Sequence, residues 1–335
     1  MPTTKLPQIA NSPEKIQLSR ISHVYLSHPD LSAFESFAKD FGFIEEARDG
    51  STIYYRGFGK DSYAYVASQS ETSEKAFDGG AFLAKTEDDF NKAVRLDGAV
   101  LTDLAMAPGG GRLVTVPTPS GSKIHVLWGA KERTVPLKAP SATTVKLGPY
   151  NTTLEKFRKG EFQRFTHGPA MVHKLGHYGF VSAKFDEDVH FYTSNFNFVP
   201  SDVLYMPGNF DMDVLVFFHL DLGDDFSDHH SLFLQRAPPG AGTTMHHCSF
   251  EVEDFDTQLI GHEWLLSNNC QPVWGVGRHI LGSQIFDYWK DPSGFTIEHY
   301  ADGDLVNQAS KTQTQEAGPD TLSIWGPKLP ESFGG

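Results

Sequence analysis

The chain states one pattern twice. Residues 119–128 read PSGSKIHVLW and residues 292–300 read PSGFTIEHY, and six residues beyond the proline one copy carries His125 and the other Glu298. Two further pairs occur in the same order. Residues 20–46, RISHVYLSHPDLSAFESFAKDFGFIEE, predict a strand, a polar break at Pro29-Asp30, an amphipathic helix and the start of another strand. Residues 174–199, KLGHYGFVSAKFDEDVHFYTSNFNFV, repeat that plan with His177 in the place of His23. The stretches FDGGAFLAKTEDDFNKAV from Phe77 and MHHCSFEVEDFDTQLIGHEWL from Met245 each predict a short strand running into a helix. An ordered repeat constrains a fold more than any local motif, because both copies must be units that pack in the same way.

The repeat predicts an α+β chain with two similar halves, each a curved, partly closed mixed sheet. The expected organisation is an N-terminal arm (1–17), a first half (18–130), a connector (131–169), a second half (170–303) and a C-terminal arm (304–335). The connector is marked by a shift towards Pro, Thr and Lys, and the arm from Asn307 is expected to pack irregularly. A length of 335 residues suits two cores, and 39% hydrophobic with 13% aromatic residues is ample to fill them.

Composition narrows the partners. A net charge of -14 repels phosphate backbones and anionic lipid, so neither nucleic acid nor a membrane surface is expected. No window approaches the ~20 apolar residues needed to span a bilayer, and MPTTKLPQIANSPEK lacks the apolar core of a signal peptide. A cytoplasmic protein is expected, in which the sequon at Asn151 carries nothing. Two cysteines, Cys248 and Cys270, exclude a disulfide framework or a thiolate cage, so any metal must be held by His and carboxylate.

Neighbours on a strand face opposite sides of a sheet. On residues 246–252 that rule puts Cys248, Phe250 and Val252 on a core face, with His246 beside them, and His247, Ser249 and Glu251 on a polar cavity face. On residues 295–299 it buries Phe295 and Ile297 and turns Glu298 inward with Thr296, while His177 lies opposite Tyr178 and Phe180. Two imidazoles and one carboxylate on separate strands match the facial triad of non-haem iron oxygenases, which leaves three positions free. Alternation does not separate His229 from His230, because both faces of SLFL are apolar. His173, His219, His262 and His299 are expected to be structural or exposed. His262-Glu263 lacks the second histidine of a zinc-protease motif, PGGGR lacks the Lys-Ser/Thr of a phosphate loop, and DLGDDFSD lacks calcium-loop spacing.

The segment from Gly277-Arg278-His279 through FDYWKDPSG to Glu298, together with LGHYGF, DHHSLFLQ and MHHCSFEV in that order, resembles the type I extradiol (catechol meta-cleaving) dioxygenases of the vicinal oxygen chelate superfamily. The resemblance covers roughly residues 18–303 and implies tandem βαβββ modules. It further implies His177, His247 and Glu298 as ligands of Fe(II), or of Mn(II), and His230, His279 and Tyr288 as catalytic residues around a catecholic substrate and O2. By the same resemblance Tyr288 would hydrogen-bond the substrate oxygen, His279 would orient it or relay a proton, and His230 would face bound oxygen as an acid. A homo-oligomer is implied as well. In the first half only His23 matches a ligand, with a glycine near the place of His247 and His125 in that of Glu298, so that half is expected to be scaffold. Two other readings use the same scaffold: a glyoxalase-like isomerase or lyase, and a resistance module that sequesters an aromatic ligand.

Overall fold

The computed structural model describes residues 5–135, 151–156, 158–160, 162, 164–331 and 333; much of the predicted connector, including residues 136–150, lies outside the described residues. The first half begins with β1 (Leu18–His28), α1 (Leu31–Phe41), β2 (Ile44–Asp49), β3 (Thr52–Arg56) and β4 (Tyr65–Gln69). It continues with β5 (Ala76–Ala84), α2 (Glu87–Val94), β6 (Val100–Asp103), β7 (Arg112–Pro117) and β8 (Lys123–Trp128). The predicted break before α1 is a helix cap: the Asp30 carboxylate accepts the Ala33 backbone N–H, and Gly42 ends the helix at φ 102°, where a side chain would be strained.

The second half repeats the sequence of elements. It runs β9 (Val172–Ser182), α3 (Phe185–Asn195), β10 (Phe198–Met206), β11 (Asn209–Leu220), the short β12 (Ser227–Asp228) and β13 (Leu232–Arg236). Then follow β14 (Thr244–Val252), α4 (Phe255–Ser267), β15 (Gln271–His279), β16 (Ile285–Lys290) and β17 (Thr296–Ala301). The first sheet has the order β2-β3-β4-β1-β5-β8-β7-β6, and the second contains β10-β11-β13-β9-β14-β17-β16-β15, the same topology strand for strand. The fold is thus mixed α+β with two similar halves, as the repeat predicts.

Register makes the equivalence exact at the residues that matter. His23 lies opposite Ala81, and Ala81 opposite His125. In the second half His177 lies opposite Ser249, and Ser249 opposite Glu298. His125 therefore occupies the position of Glu298, and Gly79, two residues before Ala81, that of His247.

The C-terminal arm departs from expectation. It forms β18 (Leu305–Val306), β19 (Gln313–Glu316) and β20 (Ser323–Trp325). β19 pairs in parallel with β10 and β20 antiparallel with β15, so the tail closes both edges of the second sheet. The polar sequence of β19 suits an edge strand, which needs main-chain donors and acceptors more than apolar side chains.

One apolar core joins the halves. Phe43 meets Phe250 edge-on at 4.8 Å, Phe82 meets Phe198 at 5.2 Å, and Phe41 stacks on His299 at 3.7 Å. Gly80 lies directly against the Tyr178 ring, where a Cβ would collide. No described helix is long and apolar enough to cross a membrane.

Candidate metal centre

β9, β14 and β17 are adjacent, and each turns one polar side chain to the same face. The Nε2 atoms of His177 and His247 are 3.1 Å apart, and Glu298 Oε2 lies 3.3 and 3.4 Å from them. All three residues are buried, and theirs is the one group of three His, Cys, Asp or Glu side chains among the described residues that could hold a metal ion. Around an ion about 2.1 Å from each ligand atom, neighbouring ligands lie roughly 3.0 Å apart in an octahedron and roughly 3.4 Å in a tetrahedron. The observed triangle fits one ion under either geometry.

The charges point the same way. Burial pushes the His247 imidazole down to about 4, so at neutral pH it offers a lone pair. Burial also works to raise the Glu298 carboxyl, but the adjacent His177 and His247 side chains outweigh it and hold the group below the usual carboxylate range. Neither Glu298 oxygen meets a well-aligned hydrogen-bond donor. A buried anion and imidazole lone pairs sharing one point are costly unless a cation occupies it.

The triangle opens onto a cavity of about 150 Å³. His230 lies beside His177, ring centroids 4.1 Å apart, and His279 and Tyr288 face the same cavity. Burial first, and then neighbouring imidazoles beginning with His177, hold His230 well below its usual value, so it is neutral. His279 Nδ1 faces the Leu322 carbonyl at 2.7 Å, and a carbonyl can only accept, so that nitrogen carries the hydrogen. Its Nε2 is then bare and accepts the Tyr288 O–H at 2.9 Å. Gln235, Gln284 and His246 also line it, and the rest of the wall is apolar: Leu215, Phe217, Phe233, Leu281, Leu322, Leu329 and Phe333. Cavities of about 670 and 690 Å³ lie elsewhere, so convergence of ligand atoms locates this site where size would not.

The structure thus brings His177, His247, Glu298, His230, His279 and Tyr288 together. His229, which alternation could not separate from His230, points away and meets Asp202 at 2.7 Å. His173, His219, His262 and His299 lie off the site and bond to Glu253, Ser201, Asp287 and the Phe41 carbonyl respectively. Phe196 and Phe198, whose rings could have lined a pocket or filled a core, fill the core; Trp274 and Phe286 back His279 and Tyr288.

One placement is corrected. Strict alternation assigns His246 to the core face, but the ladder between β14 and β9 slips between Met245 and His247, leaving His246 as a bulged residue. It is half-buried, lines the cavity with His247, and its Nδ1 lies 2.8 Å from the Nδ1 of His247. The first half has a matching slip between Val24 and Leu26. Phe217, Phe233, Phe333 and Asp202 were not anticipated; no local pattern marks them, since their roles depend on which strands become neighbours.

The chain resembles known proteins in part of its sequence and in its fold. Residues 174–299 match the model of the Glyoxalase/Bleomycin resistance protein/Dioxygenase superfamily. Metapyrocatechase 2 of Cupriavidus necator is 34% identical over 122 residues, 36% of this chain and 36% of that protein, so the match spans about a third of the relative's length. The Mn(II)-bound glyoxalase from Novosphingobium aromaticivorans superposes with a TM-score of 0.75 at 19% identity, covering 95% of this chain and 94% of that one. Homoprotocatechuate 2,3-dioxygenase from Arthrobacter globiformis superposes with a TM-score of 0.75 at 16% identity, covering 100% and 95%. At such identities the structural likeness is one of fold.

Proposed function

We propose that this chain, whose residues 174–299 form a domain of the glyoxalase, bleomycin-resistance and dioxygenase superfamily, is an extradiol dioxygenase. It opens a catecholic ring beside the two hydroxyl carbons and incorporates both atoms of O2. The metal is Fe(II), and Mn(II) suits the same ligands. Residues 170–303 are the catalytic domain and residues 18–130 a scaffold without a complete metal site. The observation that carries the reading is the convergence of three buried ligand atoms on a cavity also walled by His230, His279 and Tyr288.

The metal, when bound, supplies the Lewis acidity that eases ionisation of a substrate hydroxyl and a place where substrate and O2 meet. The chain's own groups handle the protons. Because the Tyr288 hydrogen is committed to His279, the phenol oxygen meets a substrate hydroxyl as an acceptor. A substrate proton can then pass to Tyr288 as the Tyr288 proton moves to His279 Nε2, leaving His279 an imidazolium. His230 receives or returns a proton on the other side of the cavity. The seven apolar side chains exclude water and leave room for one ring. Exposed Val100, Leu101 and Met106, on and just beyond the edge strand β6, support a homo-oligomer.

The test is anaerobic loading with Fe(II) or Mn(II), followed by O2 and a panel of catechols, with product absorbance and O2 uptake recorded together. One O2 consumed per yellow ring-opened product is expected. Turnover of a thiohemiacetal without O2 uptake would favour a glyoxalase-type isomerase, the reading that the Mn(II)-bound structural neighbour keeps in play. Tight binding of catechols without turnover would favour a sequestering module.

A further inference from the structure

We infer that Asp202 and His229 are positioning residues that fix which nitrogen of His230 carries its hydrogen, and so present His230 to the substrate as a proton acceptor. The inference rests on the ring-cleaving reading for its purpose, though not for its geometry. Asp202 lies on β10, 5% exposed, and its Oδ2 is 2.7 Å from His229 Nε2. A carboxylate only accepts, so Nε2 of His229 carries a hydrogen. In a neutral His229 the other nitrogen is then bare. That Nδ1 lies 3.1 Å from the Nδ1 of His230, which must donate to it. His230 is left with a bare Nε2 on the cavity side, opposite to the tautomer it would adopt if His229 carried its hydrogen on Nδ1.

The relay is held at every joint. The His229 backbone N–H donates to the Asp304 carbonyl at 3.0 Å, and its carbonyl accepts from Ser201 Oγ at 2.5 Å. The two imidazole planes stand at 89°, so each ring can turn an edge nitrogen to its neighbour without stacking. Gly282, at φ 77°, lies so close to the His229 ring that a Cβ would sit 2.9 Å from Nδ1. Asp202 itself is covered by the tail, since it pairs with Gln313 of β19. A hydrogen-bonded acid behind an imidazole is a known means of choosing a tautomer, and an amide in its place can donate and reverse the choice. With Nε2 bare, a substrate O–H can transfer its proton to His230, giving a substrate anion and an imidazolium that later returns the same proton.

The test uses the full chain loaded with diamagnetic Zn(II), its histidine ring nitrogens labelled with 15N, and His230 assigned through His230→Gln. The expected result is the Nδ1–H tautomer of His230 in the parent chain and the Nε2–H tautomer in Asp202→Asn, with Asp202→Glu restoring the first. In the Fe(II)-loaded chain Asp202→Asn should lower kcat by about 10²- to 10⁴-fold and leave KM for catechol within a few-fold. An Nε2–H tautomer in the parent chain, or no tautomer change in Asp202→Asn, overturns the inference. A tautomer change in a chain that opens no catechol supports the relay and removes only the ring-cleaving reading.

Discussion

At the residue scale, two adjacent histidines divide the work, and the division is testable. Glu298→Gln removes the one anion of the triangle, and His247→Ala one of its two nitrogens; each should abolish stoichiometric metal binding in a calorimetric titration. His246→Ala should keep the metal but bind it about 10- to 100-fold more weakly, because His246 contacts the outer nitrogen of His247 rather than the ion. Equal loss in both histidine variants would contradict the geometry. The inward direction of His177, His247 and Glu298 was legible from alternation with a period of two. His246 was not, because a bulge adds one residue to the strand and shifts the alternation, and PSG-type turn signals do not announce where it falls.

At the element scale, the same strand, bulge and hairpin occur twice, once with a complete set of ligand-type residues and once without. His125 bonds through Nε2 to the Asp78 carbonyl at 2.7 Å and through Nδ1 to Thr115 Oγ1 at 2.8 Å, so both of its nitrogens are occupied. Gly79 offers no side chain at all. His23→Ala and His125→Ala should therefore leave metal stoichiometry unchanged, measured by the same titration; a lost equivalent in either would mean that the first half contributes a ligand. The order of the elements was readable because each half carries its own strand, helix and turn signals. The three tail strands were not, since they are only two to four residues long, too short for a periodic pattern, and β19 and β20 become strands only by completing edges that other segments create.

At the scale of the whole molecule, the halves share a core and should unfold together. Gly80→Ala pushes a methyl into the Tyr178 ring, next to His177, and should destabilise the chain by about 1–3 kcal/mol in one cooperative denaturant transition reported by both halves. Two separate transitions would argue against a common core. Acid should also act globally. Burial lowers His28 to about 3 and is the largest influence lowering His125 and His219 to about 4. Their folded values are depressed below the unfolded ~6.5, so each contributes stability that is present above pH ~6.5 and is lost as pH falls towards 3 to 4. Three such groups give a slope of up to about 4 kcal/mol per pH unit between roughly pH 6 and 4. Denaturant unfolding from pH 7 to 5 should show that fall, and His125→Gln should reduce the slope by about one proton; an unchanged slope would mean that His125 titrates normally in the fold.

The proposed reaction requires a single metal in the second half at which a catechol meets O2. The most direct measurement is the mass of the product when the Fe(II)-loaded chain turns over catechol under 18O2. A ring-opened product carrying two 18O atoms is expected, formed by the parent chain and not by Glu298→Gln. A product without 18O, or the same labelled product at the same rate from Glu298→Gln, would contradict it.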